Sequence, residues 1–387
     1  MEPAEFKESK PGRLMRAREG YWTFVLAPLP PTLELSWDLV AQLSEADRAL
    51  AELAGLGRNL PNPHLLIRPF VRREAVLSSR IEGTQASLTD LFLFEAVESG
   101  PPPAQGPADV KEVVNYIRAL EHGLERLKEL PLSLRLIREI HAKLMEGARG
   151  EHMTPGEFRR SQNWIGPPGC ALADATFVPP PVPEMMEALG AFEKFLHAPT
   201  RLPPLVRLAQ VHYQFEAIHP FLDGNGRVGR LLISLMLCHE GLLPQPLLYL
   251  SAFFERRRQD YYRLLLEISR SGAWMEWIRF FLQGIADQSR DAVGRSARLI
   301  DLRHAYRRRL EAARSSALLL RLVDDLFEHP VITIRQAARR LGITHRAAGL
   351  NIDKLVVAGI LREVTGRKRY RLYAAREIIR TVEEPTA

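Results

Sequence analysis

Cysteine is nearly missing from this chain: among 387 residues only Cys170 and Cys238 occur, too few for a disulfide framework or a thiolate metal site. Long apolar runs are missing as well. None approaches the roughly 18 residues needed to span a bilayer, and the opening Met1-Glu2-Pro3-Ala4-Glu5 contains no apolar signal segment. The expectation is therefore a cytoplasmic protein with no membrane contact. Acidic charge is in deficit at one end only. Residues 290–387 hold 21 Lys+Arg against 11 Asp+Glu, a surplus larger than the net +7 of the whole chain, so the remainder is slightly acidic. That basic quarter suits a nucleic acid or an acidic partner.

What is present is enough for two or three cores, with 28 prolines that cluster and so mark boundaries. Residues 1–35 have no sustained periodicity and read as an extended arm. From Trp37 the apolar positions Leu39, Val40, Leu43, Ala46, Leu50 and Leu53 outline a helix, closed by Gly55 and Gly57. A second helix fits Val71 to Ile81, with Gly83 as a left-handed cap. The run Pro101-Pro102-Pro103 to Pro107 is a stiff connector and the first boundary. Beyond it, Val110 to Leu127, Leu134 to Met145, Pro183 to Leu196 and Leu205 to Ile218 have helical periodicity. The segment Gly147 to Pro183 is irregular, and segments of that length tend to be functional. Arg256 to Ser269, Trp274 to Ile285 and Arg290 to Arg314 are further helices. Residues 316–387 read as a helix, a helix-turn-helix (Ile334 to Leu355) and a hairpin wing, the pattern of a DNA-binding winged helix.

The chemistry gathers in His219-Pro220-Phe221-Leu222-Asp223-Gly224-Asn225-Gly226-Arg227-Val228-Gly229-Arg230. Gly224 and Gly226 let backbone N–H groups turn inward at the start of a helix and form an anion nest. Arg227 and Arg230 add forked donors for phosphate oxygens. Asp223 can hold a hard cation such as Mg²⁺ with one carboxylate. His219 is the group able to take a proton near neutral pH. Gly224, Gly226 and Gly229 also spell a dinucleotide-binding Gly-x-Gly-x-x-Gly. That reading needs a buried strand in front of it, which Pro220 and Asp223 do not suit. A plain solvated turn explains the glycines but not His219 and two arginines at fixed offsets.

These twelve residues resemble, without a gap, the Fic-domain signature His-x-Phe-x-(Asp/Glu)-Gly-Asn-Gly-Arg-x-x-Arg. The resemblance implies a mostly α fold: a helical Fic core near residues 108–289 with a small β-hairpin flap, preceded by an N-terminal arm and helical region (1–107). A linking helix (290–315) and a winged helix-turn-helix (316–387) follow. It implies transfer of AMP from ATP, with Mg²⁺, to a Ser, Thr or Tyr hydroxyl of a target protein, the chain itself included. His219 would be the base. Asp223, Gly224, Asn225, Gly226, Arg227 and Arg230 would bind nucleotide, with Asp223 on the metal.

Three further features gain meaning from that resemblance. Ser78-x-x-x-Glu82-Gly83 puts Ser78 and Glu82 on one helix face and resembles the family's inhibitory motif, in which the glutamate pairs with the second signature arginine, here Arg230. Thr176, Phe177 and Val178 fall where the family has a flap that aligns a target by strand addition. Tyr261 or Tyr262 would stack on adenine; helix packing is the plainer reading. His212 and Glu216 read as core or surface residues. Alternatives stay open: removal of AMP, and a DNA-binding regulator whose core only senses nucleotide. Whether residues 316–387 bind DNA or protein, and whether the chain forms a homodimer, also stays open.

Overall fold

In the computed structural model, residues 1–6, 10–34, 36–59, 64–97, 108–147, 152–312, 316–367 and 369–384 are described. The proline connector at 101–107 and the junction at 313–315 lie outside them. The N-terminal arm is not merely extended. Gly12–Arg16 (β1) and Trp22–Leu26 (β2) pair as an antiparallel hairpin, and Phe24 N donates to Val178 O at 2.9 Å, so the arm backs the irregular segment.

Helix α1 (Trp37–Asn59) runs through Gly55 and Gly57 instead of closing there. At Gly57 a Cβ would come to 3.1 Å from Leu247 Cδ1, so close packing accounts for that glycine. Helix α2 (His64–Ile81) starts earlier than Val71 and carries Pro69 inside it, in its second turn, at the loss of one intrahelical bond, that to Leu65 O. Then follow α3 (Leu88–Val97), α4 (Ala108–Arg126) and α5 (Leu134–Met145), the last capped by Ser133 accepting from Leu136 N. Helices α6 (Val182–His197), α7 (Pro204–Ile218) and α8 (Asn225–His239) complete the middle of the molecule. The residues before Gly224 are a helix and a loop, not a strand, so the dinucleotide reading falls.

After α9 (Ser251–Arg256) and α10 (Arg258–Ser271) comes α11, one helix of 39 residues from Trp274 to Ala312. A closing helix and a linking helix were expected there as two. The basic second half continues the first because Trp277, at 0% exposure, anchors one end to Ala209 O (2.9 Å) and Tyr306, also 0%, anchors the other against Phe327. The tail comprises α12 (Ala317–Glu328), β3 (Val331–Ile332), α13 (Ile334–Leu341), α14 (His345–Val357), β4 (Arg362–Glu363), β5 (Tyr373–Ala374) and α15 (Arg376–Glu383). Thr333 and Gln336 form a capping box on α13, and the strands order β3-β5-β4.

The unexpected element is α15. Its last carbonyls, Thr381, Val382 and Glu384, all accept from Arg295 Nη1 of α11 at 2.8, 2.6 and 2.5 Å. The tail also rests on α2: Arg68 Nη1 donates to His329 Nε2 at 2.9 Å and its Nε lies 3.5 Å from Glu328. Among the described residues no helix is long and apolar enough to cross a membrane.

Candidate active site

Helix α7 delivers His219 as its C-terminal cap with φ 50° and ψ 59°, a left-handed conformation uncommon outside glycine. The cost of that conformation is offset by the bonds that hold it. His219 N donates to Phe215 O at 3.1 Å. Its carbonyl accepts from Arg159 Nε (3.0 Å) and Asn163 Nδ2 (3.1 Å). The imidazole Nδ1 lies 3.1 Å from Glu216 O, and a carbonyl can only accept, so Nδ1 bears the hydrogen and Nε2 keeps its lone pair. Burial pushes the His219 pKa down to about 4, leaving the ring neutral at pH 7.

The loop that follows is held from within. Asn225 Oδ1 accepts from Phe221 N (2.9 Å) and its Nδ2 donates to Phe221 O (2.8 Å), so this side chain is spent on the loop, not on an anion. Gly224 caps α8 at φ 79°. Val228 N, bonded to Gly224 O at 3.0 Å, opens the intrahelical ladder. The N–H groups of Asn225, Gly226 and Arg227 belong to the first turn, which a helix leaves without an acceptor of its own. They are the candidate anion donors.

Both signature arginines are buried, Arg227 at 4% and Arg230 at 2% exposure. Arg230 gathers the α2 motif: Nε donates to Ser78 Oγ (2.9 Å), and Nη2 to Ser78 O (3.0 Å) and Glu82 Oε1 (2.6 Å). A Cβ at Gly226 would collide with that same Glu82 Oε1. Glu82 thus lies across the head of α8 as well as on Arg230. Gly83 follows at φ 99°, turning the chain out of α2. Burial raises the Glu82 carboxyl, but the charge and hydrogen bond of Arg230 outweigh it and the net shift is downward, so Glu82 is ionised. Glu216 has one oxygen with no hydrogen-bond partner among the described residues, and burial lifts its pKa to about 7.

Arg227 Nη1 lies 3.5 Å from Glu112, a partner the sequence did not suggest, and its Nη2 lies 3.6 Å from Asp223 Oδ1. Asp223 itself, its side chain 48% exposed, accepts from Gly224 N at 2.6 Å. A hard carboxylate at the edge of an anion nest fits Mg²⁺, which takes one or two protein oxygens and leaves the rest to phosphates and water. No cluster of three or more His, Cys, Asp or Glu occurs among the described residues, so phosphate and water ligands would be required.

Of the two tyrosines, Tyr261 is not available for stacking. It is 1% exposed, packs on Phe254 at 4.4 Å and meets His212 Nε2 at 2.9 Å, because its face of α10 turns into the core. Tyr262 is 42% exposed, and its hydroxyl lies 3.5 Å from Ile81 O beside the Glu82 turn. In the irregular segment, Ile165 pairs with Phe177 through bonds of 2.8 and 3.0 Å as a single antiparallel bridge. Thr176 is exposed, while Phe177 and Val178 are buried at 5% and 1% and face inward to Phe24 and the arm.

Sequence reasoning missed Arg159, Asn163 and His141. Among the described residues, Arg159 is held by main-chain carbonyls. Its guanidinium spans His219 O, Ser161 O (3.1 Å) and Pro180 O (2.5 Å), joining the flap to the base. No local pattern announces an arginine whose acceptors are backbone carbonyls.

Four histidines, His141 and His212 buried and His219 and His329 half-buried, make stability depend on pH. Burial lowers the pKa of His141 and His219 to about 4 and of His212 and His329 to about 3, all from 6.5. Between pH 6.5 and 4 the unfolded chain therefore binds more protons, and stability falls as pH falls. Burial also raises carboxyls, Glu216 to about 7 and Asp47, Glu74, Glu240 and Glu383 in the same direction, and these oppose the trend. Thermal unfolding should occur at a lower temperature at pH 5 than at pH 7; the reverse order would contradict the buried neutral imidazoles.

Comparison with known proteins agrees with this geometry. Residues 40–125 match the family profile described as Fic/DOC family N-terminal, 131–237 that of the Fic/DOC family, and 319–374 an HTH DNA binding domain. The protein adenylyltransferase Fic of Drosophila persimilis is 29% identical over 159 residues, 40% of this chain and 27% of the relative. That of Drosophila grimshawi is 30% identical over 159 residues, 40% of this chain and 29% of the relative. The match thus spans under a third of the length of these relatives. A crystal structure of a Fic family protein from Desulfovibrio desulfuricans G20 superposes with a TM-score of 0.57 at 20% identity, covering 90% of this chain and 98% of that one. At that identity the likeness is one of fold.

Proposed function

The chain belongs to the Fic/Doc superfamily, with an N-terminal helical region before its Fic core and a helix-turn-helix after it, and from that membership we propose a protein adenylyltransferase inhibited by its own Glu82. One observation carries the reading. The Nε2 lone pair of a neutral His219 stands beside a helix N-terminus and two buried arginines. A phosphate sensor needs the donors but has no use for the base.

On this reading the ATP phosphates lie against the N–H groups of Asn225, Gly226 and Arg227, with the Arg227 guanidinium beside them. Tyr262 offers its exposed ring to the adenine. Asp223 would hold Mg²⁺, which supplies charge neutralisation to the phosphates when bound. His219 Nε2 takes the proton of a target Ser, Thr or Tyr hydroxyl. The hydroxyl oxygen then bonds to the α-phosphorus while the bond from that phosphorus to the pyrophosphate oxygen breaks. Catalysis is mostly positioning and electrostatics. Thr176 is the exposed residue of the flap, its N–H already donated to Ile165 O at 2.9 Å, so an incoming strand would have to pair with its carbonyl.

Removal of AMP is the second reading, favoured by the ionised, one-third exposed Glu82 carboxylate, which can orient a water. Incubation with labelled ATP, with and without lysate, tests the first; release of AMP from modified protein tests the second. No label on any protein, from wild type or Glu82→Gly, would end the transferase reading.

The tail is read as a DNA contact. Arg335, Arg346 and Arg369 are exposed on α13, on α14 and beside the wing. Affinity for duplex DNA should fall steeply with salt as counterions are released, and should weaken when any of the three is neutralised. Absence of a mobility shift at low salt would favour a protein contact instead. Leu350 and Val357, 60% and 89% exposed on α14, would then be its apolar face.

A further inference from the structure

We propose that His141, on α5, is a positioning residue that sets the Asp223 carboxylate and the opening of α8. The inference rests on the transferase reading only for what that carboxylate does. His141 is fully buried, and both its nitrogens are committed to backbone. Gly156 N donates to Nδ1 at 2.9 Å, and an amide nitrogen can only donate. Nδ1 is therefore the acceptor, and Nε2 carries the hydrogen that it gives to Asp223 O at 3.0 Å.

The grip falls on one particular peptide unit. The Asp223 carbonyl and the Gly224 N–H belong to the same planar group, and turn together. His141 holds the carbonyl end; the amide end donates to Asp223 Oδ1 at 2.6 Å. Fixing the plane from outside thus fixes the direction in which the carboxylate is pinned. It also sets Gly224 at φ 79°, from which the free N–H groups of α8 are launched.

Two further contacts leave the ring no room to turn. It stacks on Phe221 with centroids 3.7 Å apart and planes 8° apart. A Cβ at Gly224 would come to 3.5 Å from His141 Cδ2 and 3.0 Å from Met145 Sδ, so α5 forms the floor of the loop. Gly156, at φ 78°, belongs to the segment carrying Arg159. One imidazole therefore ties the flap, α5 and the phosphate loop.

The test uses the full chain. His141→Phe keeps a ring against Phe221 and removes both hydrogen bonds. His141→Gln can restore a donor and an acceptor without the ring. Without nucleotide, His141→Phe should speed hydrogen exchange at the amides of Gly224 and Val228, whose acceptors lie in this loop, at least tenfold, with α1 and α11 unchanged. ATP binding by calorimetry should weaken at least tenfold in Mg²⁺ and by less without it, and His141→Gln should recover most of both losses. Unchanged exchange in the loop, exchange raised equally throughout the chain, or a glutamine variant as impaired as the phenylalanine one would overturn the proposal. If the phenyl ring is not tolerated, His141→Leu makes the same comparison. Hydrogen exchange needs no ATP, so failure of both wild type and Glu82→Gly to bind ATP would sink the transferase reading while the exchange result still decides His141.

Discussion

His219→Ala should retain ATP binding and lose at least about 10²-fold in transfer, the effect of removing a general base. The substitution leaves the proposed nucleotide contacts in place: the α8 N–H groups, Arg227 and Arg230 as donors, and Asp223 for the metal, do not depend on the imidazole. What disappears is the Nε2 lone pair that the Nδ1 bond to Glu216 O keeps free. The pH profile adds an independent check. With the His219 pKa pushed down to about 4 by burial, the base is unprotonated above that value. The acid limb of kcat/KM should accordingly fall near pH 4 and not near the ordinary 6.5. Label incorporation by the mutant equal to wild type would remove His219 from the chemistry. A limb at 6.5 would mean that the ring is solvated in the working enzyme.

Glu82→Gly should raise auto-AMPylation tenfold or more, about 1.4 kcal/mol in the barrier. Arg230, its side chain 1% exposed, now spends one of three hydrogen bonds on Glu82 and two on Ser78. Ser78 therefore goes on orienting the guanidinium after the carboxylate has gone. Glu82 sits in the turn after Ile81, the last helical residue of α2, so glycine there costs little backbone order. The vacated place is the one that a Cβ at Gly226 could not share, next to the anion donors of α8. A γ-phosphate can then take it and face the α-phosphorus to His219. The same change leaves a buried cation without its carboxylate, which is destabilising. The variant should thus unfold at a lower temperature than wild type in buffer and gain more from ATP. Arg230→Ala in the Glu82→Gly background should abolish the gain in labelling, because both changes act on one contact. Equal labelling by wild type and Glu82→Gly at saturating ATP would reduce the motif to a helix end.

The helices were legible wherever apolar residues repeat without interruption, and α5 from Leu134 to Met145 has the bounds its periodicity gives. The loop at 219–230 was legible as a candidate site because an anion site needs rare residue types at fixed offsets; Asp223, Gly224 and Arg227 lie side by side in it, while Arg230 turns to Ser78 and Glu82. The meeting of Glu82 with Arg230, 148 residues apart, followed from two motifs, each short and local.

Only the tertiary structure decided the rest. Tyr261 and Tyr262 are adjacent, and their helix could have turned either ring inward; contact with Phe254 and His212 chose Tyr261 for the core. The arm at 12–26 hid its hairpin because its strands do not alternate: in Trp22–Leu26 the neighbours Thr23 and Phe24 are both buried, and Gly12–Arg16 has no buried residue. Arg159 and His141 stayed invisible for a different reason. Their partners are main-chain carbonyls and amides, which every residue carries, so no side-chain pattern could point to them. Residue type determined what this loop can bind and which atom can take a proton; the folded backbone around it determined which neighbours hold those atoms still.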